Sequence, residues 1–220
     1  MSKLKSHILP LLLMLSIPLL HTFYELLNNG DRGARSLITS FDQHIPFIEA
    51  FIIPYVFWYL FIFGMLFYFF IYDRSLYFKT LLSLTIGMVI CYVIYYFFQT
   101  TVPRPAIEGS GVLTNVIRYI YTADEPFNCF PSIHVLSSYL MVIAIRYCKT
   151  KTPVRIFAVN IAGYLIILST LFIKQHVVLD AFAGILLGNI LFNTIYYFKP
   201  MLSYATNKRY SKNKKAAEPR

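Results

Sequence analysis

The sequence predicts an all-α fold: an integral membrane bundle of six transmembrane helices, with both termini in the cytoplasm. Its composition is the first reason, because 57% of the residues are hydrophobic and only 14% are charged, too few to cover a soluble domain. Apolar runs of about 20 residues, long enough to cross a bilayer as helices, also recur along the chain. Finally, Lys and Arg concentrate between alternate runs.

The first run follows Lys3 and Lys5, as in a signal peptide, but no small-residue cleavage pattern comes after it. We therefore expect a retained span, bent at Pro10 and Pro18. The fourth run is short for a crossing. The last apolar stretch is too long for one crossing, and the polar segment 174–176 divides it in two. In chain order, the predicted spans are Ile8–Leu27, Phe47–Tyr72, Thr80–Phe98, Ser132–Ile145, Val154–Ile173 and Val177–Phe198.

The distribution of basic residues predicts the orientation. With a cytoplasmic N-terminus, 15 of the 20 Lys and Arg residues lie on the cytoplasmic side, as the positive-inside rule requires. Residues 1–200 then form one membrane domain, and residues 201–220 form a basic cytoplasmic tail. The net charge of +10, much of it in this tail, indicates contact with the anionic head groups of the bilayer. Nucleic acid is not an expected partner, because no base-stacking pattern accompanies the charge.

This orientation places three polar clusters on one face of the membrane. Arg104 follows the third span, His134 opens the fourth, and His176 lies between the fifth and the sixth. All three fall at extracytoplasmic helix ends. The loop of residues 99–130 connects the first two clusters, and its stretch Val112–Tyr121 is either an interfacial helix that covers them or a plain connection.

The three cysteines, Cys91, Cys129 and Cys148, show neither CxxC nor Cys/His ligand spacing. We expect Cys91 and Cys148 to fill apolar space in or near helices, without a disulfide framework. Cys129 lies near the candidate site residues in sequence, where we expect it to take part in packing only. The sequence also holds no outward-facing cluster of carboxylates. It therefore indicates neither a metal ion nor a cofactor.

His176 and Asp180 are one helical turn apart, so on a helix they share a face. The carboxylate can accept a hydrogen bond from one imidazole nitrogen, which fixes the tautomer and leaves the other nitrogen free. A neutral imidazole held in this way is a competent nucleophile towards phosphorus. On a soluble helix this spacing would more often be a surface pair. In a membrane span, an unpaired aspartate is costly, which favours the pairing.

His134 ends the run Cys129-Phe130-Pro131-Ser132-Ile133-His134. Pro131 suits the first turn of a helix, and the free amides of Ser132 and Ile133 at the positive end of the helix dipole predict an anion site. His134 is placed there to donate a proton to a leaving oxygen. The alternative is a histidine at the membrane interface that takes no part in chemistry.

The sequence offers four candidates for binding a phosphate group. Arg104 stands between two prolines, so a stiff backbone would hold its planar guanidinium for bidentate contact with phosphate oxygens. Lys174 and the hydroxyl groups of Ser132 and Ser169 could supply further donors. Ser169 suits helix packing equally well.

These residues, in this order, resemble the type 2 phosphatidic acid phosphatase superfamily of membrane lipid phosphatases and phosphotransferases. The signature of that family is K-x6-R-P, then P-S-G-H, then S-R-x5-H-x3-D. The resemblance covers the three motifs and the six-span layout. It implies His176 as nucleophile, His134 as general acid and base, Asp180 as the partner that orients His176, and no metal.

The chain departs from the family signature at three positions. Phe97 stands where the lysine of the first motif belongs, Thr170 replaces the arginine of the third, and Ile133 replaces the glycine of the second. Two phosphate-binding cations are missing, and Lys174 could replace only one of them. This weaker pattern is closer to the branch that includes inositol phosphorylceramide synthases and many bacterial relatives.

The resemblance thus implies an enzyme that hydrolyses a phosphomonoester or pyrophosphate of a lipid through a phosphohistidine. The predicted orientation places this reaction at the extracytoplasmic face, and we expect a bacterial cell membrane. Phosphatidic acid, phosphatidylglycerol phosphate and undecaprenyl pyrophosphate are candidate substrates. One alternative is a phosphotransferase that moves a phospholipid head group to an alcohol. Another is a lipid transporter whose histidines only bind head groups, although binding alone does not explain an aspartate behind His176.

Overall fold

A computed structural model describes the backbone of residues 8 and 10–216 and the side chains of residues 8 and 10–197. Most of this part of the chain is helical. Short 3-10 turns at Leu13–Leu15, Glu49–Phe51 and Ile145–Tyr147 flank three of the helices. The named elements are α1 (Ser16–Leu27), β1 (Arg35–Ser36), α2 (Ser40–His44), α3 (Ile52–Tyr72), α4 (Arg74–Phe97), β2 (Thr100–Thr101), α5 (Val112–Ala123), α6 (Ile133–Ala144), α7 (Pro153–Phe172) and α8 (Val178–Ala216).

Five helical segments are long and apolar enough to cross a membrane, and each overlaps a predicted span. The largest difference is in the third, which begins at Arg74 and not at Thr80. The helix starts earlier because the Asp73 carboxylate accepts a hydrogen bond from the backbone N–H of Leu76 and caps it. The five segments are Pro10–Leu27, Glu49–Tyr72, Arg74–Phe97, Pro153–Phe172 and Val178–Tyr197.

The fourth predicted span corresponds to a shorter apolar helix, Ile133–Tyr147. Its main part, α6, packs against α3, α4, α7 and α8, and ten of its 12 residues are buried. Protein rather than lipid therefore surrounds α6, which makes it the centre of the bundle. Six crossings and cytoplasmic termini stay predictions: Lys3, Lys5 and the side chains of the basic tail lie outside the described residues.

Two glycines allow the neighbouring helices to approach α6 closely. A Cβ atom on Gly184 of α8 would lie 2.7 Å from the carbonyl oxygen of Ser132, and a Cβ on Gly163 of α7 would overlap the side chain of Val142. Real Cβ atoms do not make such contacts, so larger residues would push the helices apart. Helices α7 and α8 thus pack against α6 through backbone surfaces.

The connecting segments at one end of the bundle contain a strand pair that the all-α prediction missed. Strands β1 and β2 are parallel, with Arg35 opposite Thr100 and Ser36 opposite Thr101. The segment left open as helix or loop is the helix α5, and its Ile117 packs against Tyr55 of α3. These contacts place α5 against the N-terminal end of α3.

Asp42 links α2 to the start of α8. Its Oδ1 atom accepts the backbone N–H of Val178 at 2.7 Å, and its Oδ2 atom accepts the backbone N–H and the hydroxyl of Thr39. Burial opposes ionisation of this carboxyl group. The hydrogen bonds from Thr39 and Val178, with the charge of Lys174, nevertheless hold its pKa below the ordinary value of 3.8.

We expect Asp42→Asn to destabilise the protein by about 1 kcal/mol at neutral pH, because a neutral amide replaces an ionised acceptor of these hydrogen bonds. A depressed pKa means that the carboxylate stabilises the fold fully above pH 3.8 and loses this effect as the pH falls through the lower folded-state pKa. Thermal unfolding in detergent should therefore show a gap between the wild type and the variant that closes below that pH. A gap independent of pH would contradict the role of the charge.

Candidate active site

A cleft of about 570 Å³ contains both motif histidines. Residues of α1, α3, α4 and α5 line it together with His134 and His176, and its walls are mostly apolar and aromatic. A larger groove of about 760 Å³ lies between α3 and α7, but only apolar residues line it. Because proton transfer and nucleophilic attack need titratable groups, the smaller cleft is the candidate site.

His176 sits on a sharp turn between α7 and α8. The carbonyl of Thr170 accepts the backbone N–H of both Gln175 and His176, and the N–H of Lys174 donates to Leu171. This is the Schellman pattern of a helix end, in which the residue after the C-cap adopts a left-handed conformation. Lys174 occupies that position, with a φ of 53°. The turn therefore delivers His176 just before the first turn of α8, between the fifth and sixth predicted spans.

The structure brings His176 and Asp180 together. The Nδ1 atom of His176 lies 3.4 Å from Oδ2 of Asp180, and that oxygen also accepts the backbone N–H of Val177 at 3.0 Å. Asp180 is fully buried, while 8% of His176 is exposed. Because Nδ1 faces the carboxylate, the other ring nitrogen, Nε2, is available to a ligand in the cleft.

His134 faces His176 across the cleft, with 5.9 Å between the ring centroids. Its ring packs on Tyr55, with centroids 4.7 Å apart, and on Trp58, with centroids 4.3 Å apart. None of the described residues hydrogen-bonds a ring nitrogen of His134. Both nitrogens are therefore available to a ligand or to water, as a proton donor or acceptor requires.

A main-chain contact joins the two histidine motifs. The backbone N–H of Ser132 donates to the carbonyl of Asp180 at 3.1 Å, beside the close approach of Gly184 to Ser132. The amide of Ser132 is therefore not free, in contrast to the expected anion site. Helix α6 begins at Ile133 with Ser132 as its N-cap, so Pro131 precedes the helix and does not lie in its first turn.

Arg104 has several protein partners. Its guanidinium donates to the carbonyls of Tyr121 and Asp124 and to Oε1 of Gln175, at 2.6 to 2.9 Å, and it stacks on the Tyr121 ring. The buried Nε–H has no partner among the described residues. Arg104 thus ties the end of α5 to the residue next to His176, and one N–H group remains for another acceptor.

None of the four proposed phosphate ligands, Arg104 included, is among the residues that line the cleft, and the polar groups of the other three are bonded elsewhere. The Ser132 hydroxyl accepts the backbone N–H of Val135, and the buried Ser169 hydroxyl donates to the carbonyl of Ile166. The Lys174 ammonium donates to the carbonyls of Asp42 and Ile45. In the structure, Ser132 therefore caps a helix, Ser169 bonds within its own helix, and Lys174 attaches the segment around Asp42 and Ile45 to the turn.

Phe97 and Thr170 stand where the family signature has a lysine and an arginine, so they supply no positive charge to the site. Phe97 is 81% exposed at the end of α4, and Thr170 is fully buried, with its hydroxyl bonded to the carbonyl of Ile167. Neither residue lines the cleft. The site accordingly has fewer positive charges than the signature implies.

Several residues at the cleft were not found from the sequence. Tyr55 and Trp58 pack on His134, and Asp124 accepts hydrogen bonds from Tyr24 and Asn28 at 2.6 and 2.9 Å. Aromatic residues make up 18% of the chain, so two of them gave no local signal. The signals that could have drawn attention to them are that Trp58 is the single tryptophan of the chain and that Asp124 is a carboxylate in a loop between two predicted spans.

Comparisons with known proteins identify the family of the chain and a structure of similar fold. The family model of the PAP2 superfamily matches residues 76–204, more than half of the chain, including the segments of all three motifs. The crystal structure of Aquifex aeolicus LpxE is similar in fold, with a TM-score of 0.50 and 19% sequence identity over 80% of this chain and 93% of that chain. No curated protein matches the sequence. With a match over this length, the chain belongs to the PAP2 superfamily.

Proposed function

We propose that this protein is a metal-independent membrane lipid phosphatase that works through a phosphohistidine on His176. Family membership supports a phosphatase that acts on a lipid. The observation that carries the mechanism is the geometry of the cleft, where His176 is oriented by Asp180 at 3.4 Å and faces His134 at 5.9 Å between centroids. A nucleophile backed by a carboxylate and opposed by a proton carrier is the arrangement that two-step phosphoryl transfer needs.

In the first step, Nε2 of His176 attacks phosphorus while its Nδ1–H donates to Asp180. The bond between phosphorus and the lipid oxygen breaks, and His134 gives that oxygen a proton, so the lipid leaves as an alcohol, or as a lipid phosphate when the substrate is a pyrophosphate. In the second step, His134 takes a proton from water, which attacks the phosphohistidine. The P–N bond breaks, and inorganic phosphate leaves with His176 restored.

Arg104 remains the proposed ligand of the transferred phosphate. Two observations support this role: the Nε–H has no partner among the described residues, and Nη2 of the same guanidinium donates to Gln175, the residue before His176 in sequence. We do not assign Ser132, Ser169 or Lys174 to phosphate, because their polar groups are bonded elsewhere. The apolar walls of the cleft suit the acyl or prenyl chain of phosphatidic acid, phosphatidylglycerol phosphate or undecaprenyl pyrophosphate.

The membrane setting belongs to the same proposal. Helices long and apolar enough to span a bilayer indicate a membrane protein. With six crossings and cytoplasmic termini, the cleft opens on the extracytoplasmic face, in a bacterial cell membrane. A lipid substrate then reaches the histidines from the outer leaflet.

The test is the release of inorganic phosphate from each candidate lipid by purified protein in detergent with EDTA present. We expect release from at least one lipid at a rate that EDTA does not lower, together with a covalently phosphorylated protein after rapid acid-free quenching. Activity that disappears with EDTA and returns with added metal would contradict the metal-independent mechanism. Lipid translocation without phosphorylated protein would instead support the transporter.

A second candidate, transfer of a phospholipid head group to an alcohol, is favoured by the charge of the cleft. Glu25, Asp124 and Glu125 line it, whereas none of its described lining residues is Lys or Arg. Such a cleft suits a phosphodiester, with one negative charge, better than a doubly charged phosphomonoester. Labelled phospholipid offered with candidate alcohols separates the two reactions, because only transfer yields a new phospholipid.

A further inference from the structure

A cysteine that the proposed mechanism does not use lies against the catalytic pair. The ligand atoms of Cys129, His176 and Asp180 are all within 4.8 Å of one another. All three residues are buried, with exposed fractions of 4%, 8% and 0%. A thiol, an imidazole and a carboxylate therefore meet in one place, although Cys129 is 47 positions before His176 in sequence.

Asp180 supplies an independent sign that this place accepts a ligand. One of its oxygens, Oδ2, is hydrogen-bonded to His176 and Val177, but the other, Oδ1, is buried with no hydrogen-bond partner among the described residues. Leaving a buried carboxylate oxygen without a partner is costly, so such an atom is often explained by a ligand. A metal cation satisfies it directly.

The chemistry of the three side chains selects the metal. Sulfur and nitrogen ligands favour Zn²⁺ and other thiophilic divalent ions, whereas Mg²⁺ and Ca²⁺ prefer oxygen ligands alone. Two anionic ligands, a thiolate and a carboxylate, balance the two charges of Zn²⁺, so the filled site is neutral and suits burial. Zn–ligand bonds of about 2.0–2.3 Å require ligand atoms roughly 3.5 Å apart, which modest side-chain rotations would achieve.

We propose that Cys129, His176 and Asp180 bind Zn²⁺ and that this binding inhibits the enzyme. The inhibition, though not the binding, rests on the proposed function. The thiol of Cys129 loses its proton to solvent as the Zn–S bond forms. A metal on Nε2 of His176 blocks the nucleophile directly. A metal on Nδ1 displaces the proton of that nitrogen, and the neutral ring then carries its proton on Nε2, so Nε2 has no lone pair with which to attack phosphorus.

The binding test uses the full chain in detergent, stripped of metal with EDTA and then freed of the chelator. Calorimetric titration with Zn²⁺ should give one site per chain, and Co²⁺ should produce the absorption band of a cobalt–thiolate bond. We expect Cys129→Ser to lose that band and to bind Zn²⁺ at least about tenfold more weakly. Cys91→Ser is the matched control, because Cys91 is a buried cysteine in the core of the bundle. It should behave as the wild type.

The activity test separates this inference from the proposed function. Zn²⁺ should stop phosphate release by the wild type and by Cys91→Ser, EDTA should restore it, and Mg²⁺ should have no such effect. Cys129→Ser should keep releasing phosphate at the same Zn²⁺ concentration. Equal Zn²⁺ affinity in wild type and Cys129→Ser, or a Co²⁺ complex without a sulfur band, would overturn the zinc site even if the phosphatase is established. The titrations remain valid even if no lipid is hydrolysed.

Discussion

His176→Ala is expected to lower the rate of phosphate release by about 10³-fold or more. The variant keeps the cleft but lacks the atom that forms the bond to phosphorus, so no step of the two-step route can begin. The measurement compares wild type and variant on the best lipid substrate, with labelled phosphate to detect the covalent intermediate. We expect no labelled protein from His176→Ala.

His21→Ala provides the matched control. His21 also lines the cleft, but it is half-exposed and pairs with Glu25 at 3.7 Å. Its replacement should leave phosphate release within about threefold of the wild type, as for a group that makes no contact with the reacting atoms. His134→Ala, in contrast, should form the intermediate slowly, because His176 remains but the leaving oxygen receives no proton. Labelled protein in His176→Ala would exclude His176 as the nucleophile.

Gly184→Ala should have the second largest effect, on both stability and activity. The added methyl group would lie 2.7 Å from the Ser132 carbonyl oxygen and 3.2 Å from the backbone nitrogen of Leu136. Because backbone atoms cannot rotate away, α8 must move from α6, at a cost of about 1–3 kcal/mol. The same movement separates His134 from His176. A displacement of about 1 Å at reacting groups can lower a rate about 100-fold.

Thermal unfolding and phosphate release measure the two effects in the same preparation. Gly64→Ala is the control, since a Cβ atom at Gly64 of α3 would have no neighbour within 4 Å. That variant should unfold at or slightly above the wild-type temperature, as expected when alanine replaces glycine within a helix. If Gly184→Ala unfolds like Gly64→Ala and retains full activity, the close approach of α8 to α6 does not determine the geometry of the site.

The long helices could be predicted from the sequence because a helix that crosses the hydrocarbon layer must be apolar over the whole thickness of that layer, which requires a run of about 20 residues. The exception is instructive. Helix α6 is surrounded by other helices and not by lipid, and a run of apolar residues cannot distinguish these two environments. The strand pair of β1 and β2 was missed for a related reason. Two residues in each strand are too few to produce a recognisable alternation.

The candidate site shows a different limit. The pairing of His176 with Asp180 follows from local spacing, so it could be predicted without the fold. Lys174 could not be placed in the same way, because its ammonium group is directed by a turn with positive φ towards the carbonyls of Asp42 and Ile45. The proximity of Cys129 to Asp180 likewise depends on how distant segments pack. Sequence spacing determines which residues can meet locally, but long-range packing determines which polar groups remain available.

The hydrogen bond from the amide of Ser132 to the carbonyl of Asp180 has an evolutionary consequence. Every amino acid except proline carries the same donor, so side chains near the reacting histidines can be exchanged without loosening the tie between their two chain segments. Ile133 stands at the position of the glycine in the family signature and lines the cleft, next to this unchanged backbone hydrogen bond. The wall of the cavity can thus change in shape while the two segments that carry His134 and His176 keep their relative position.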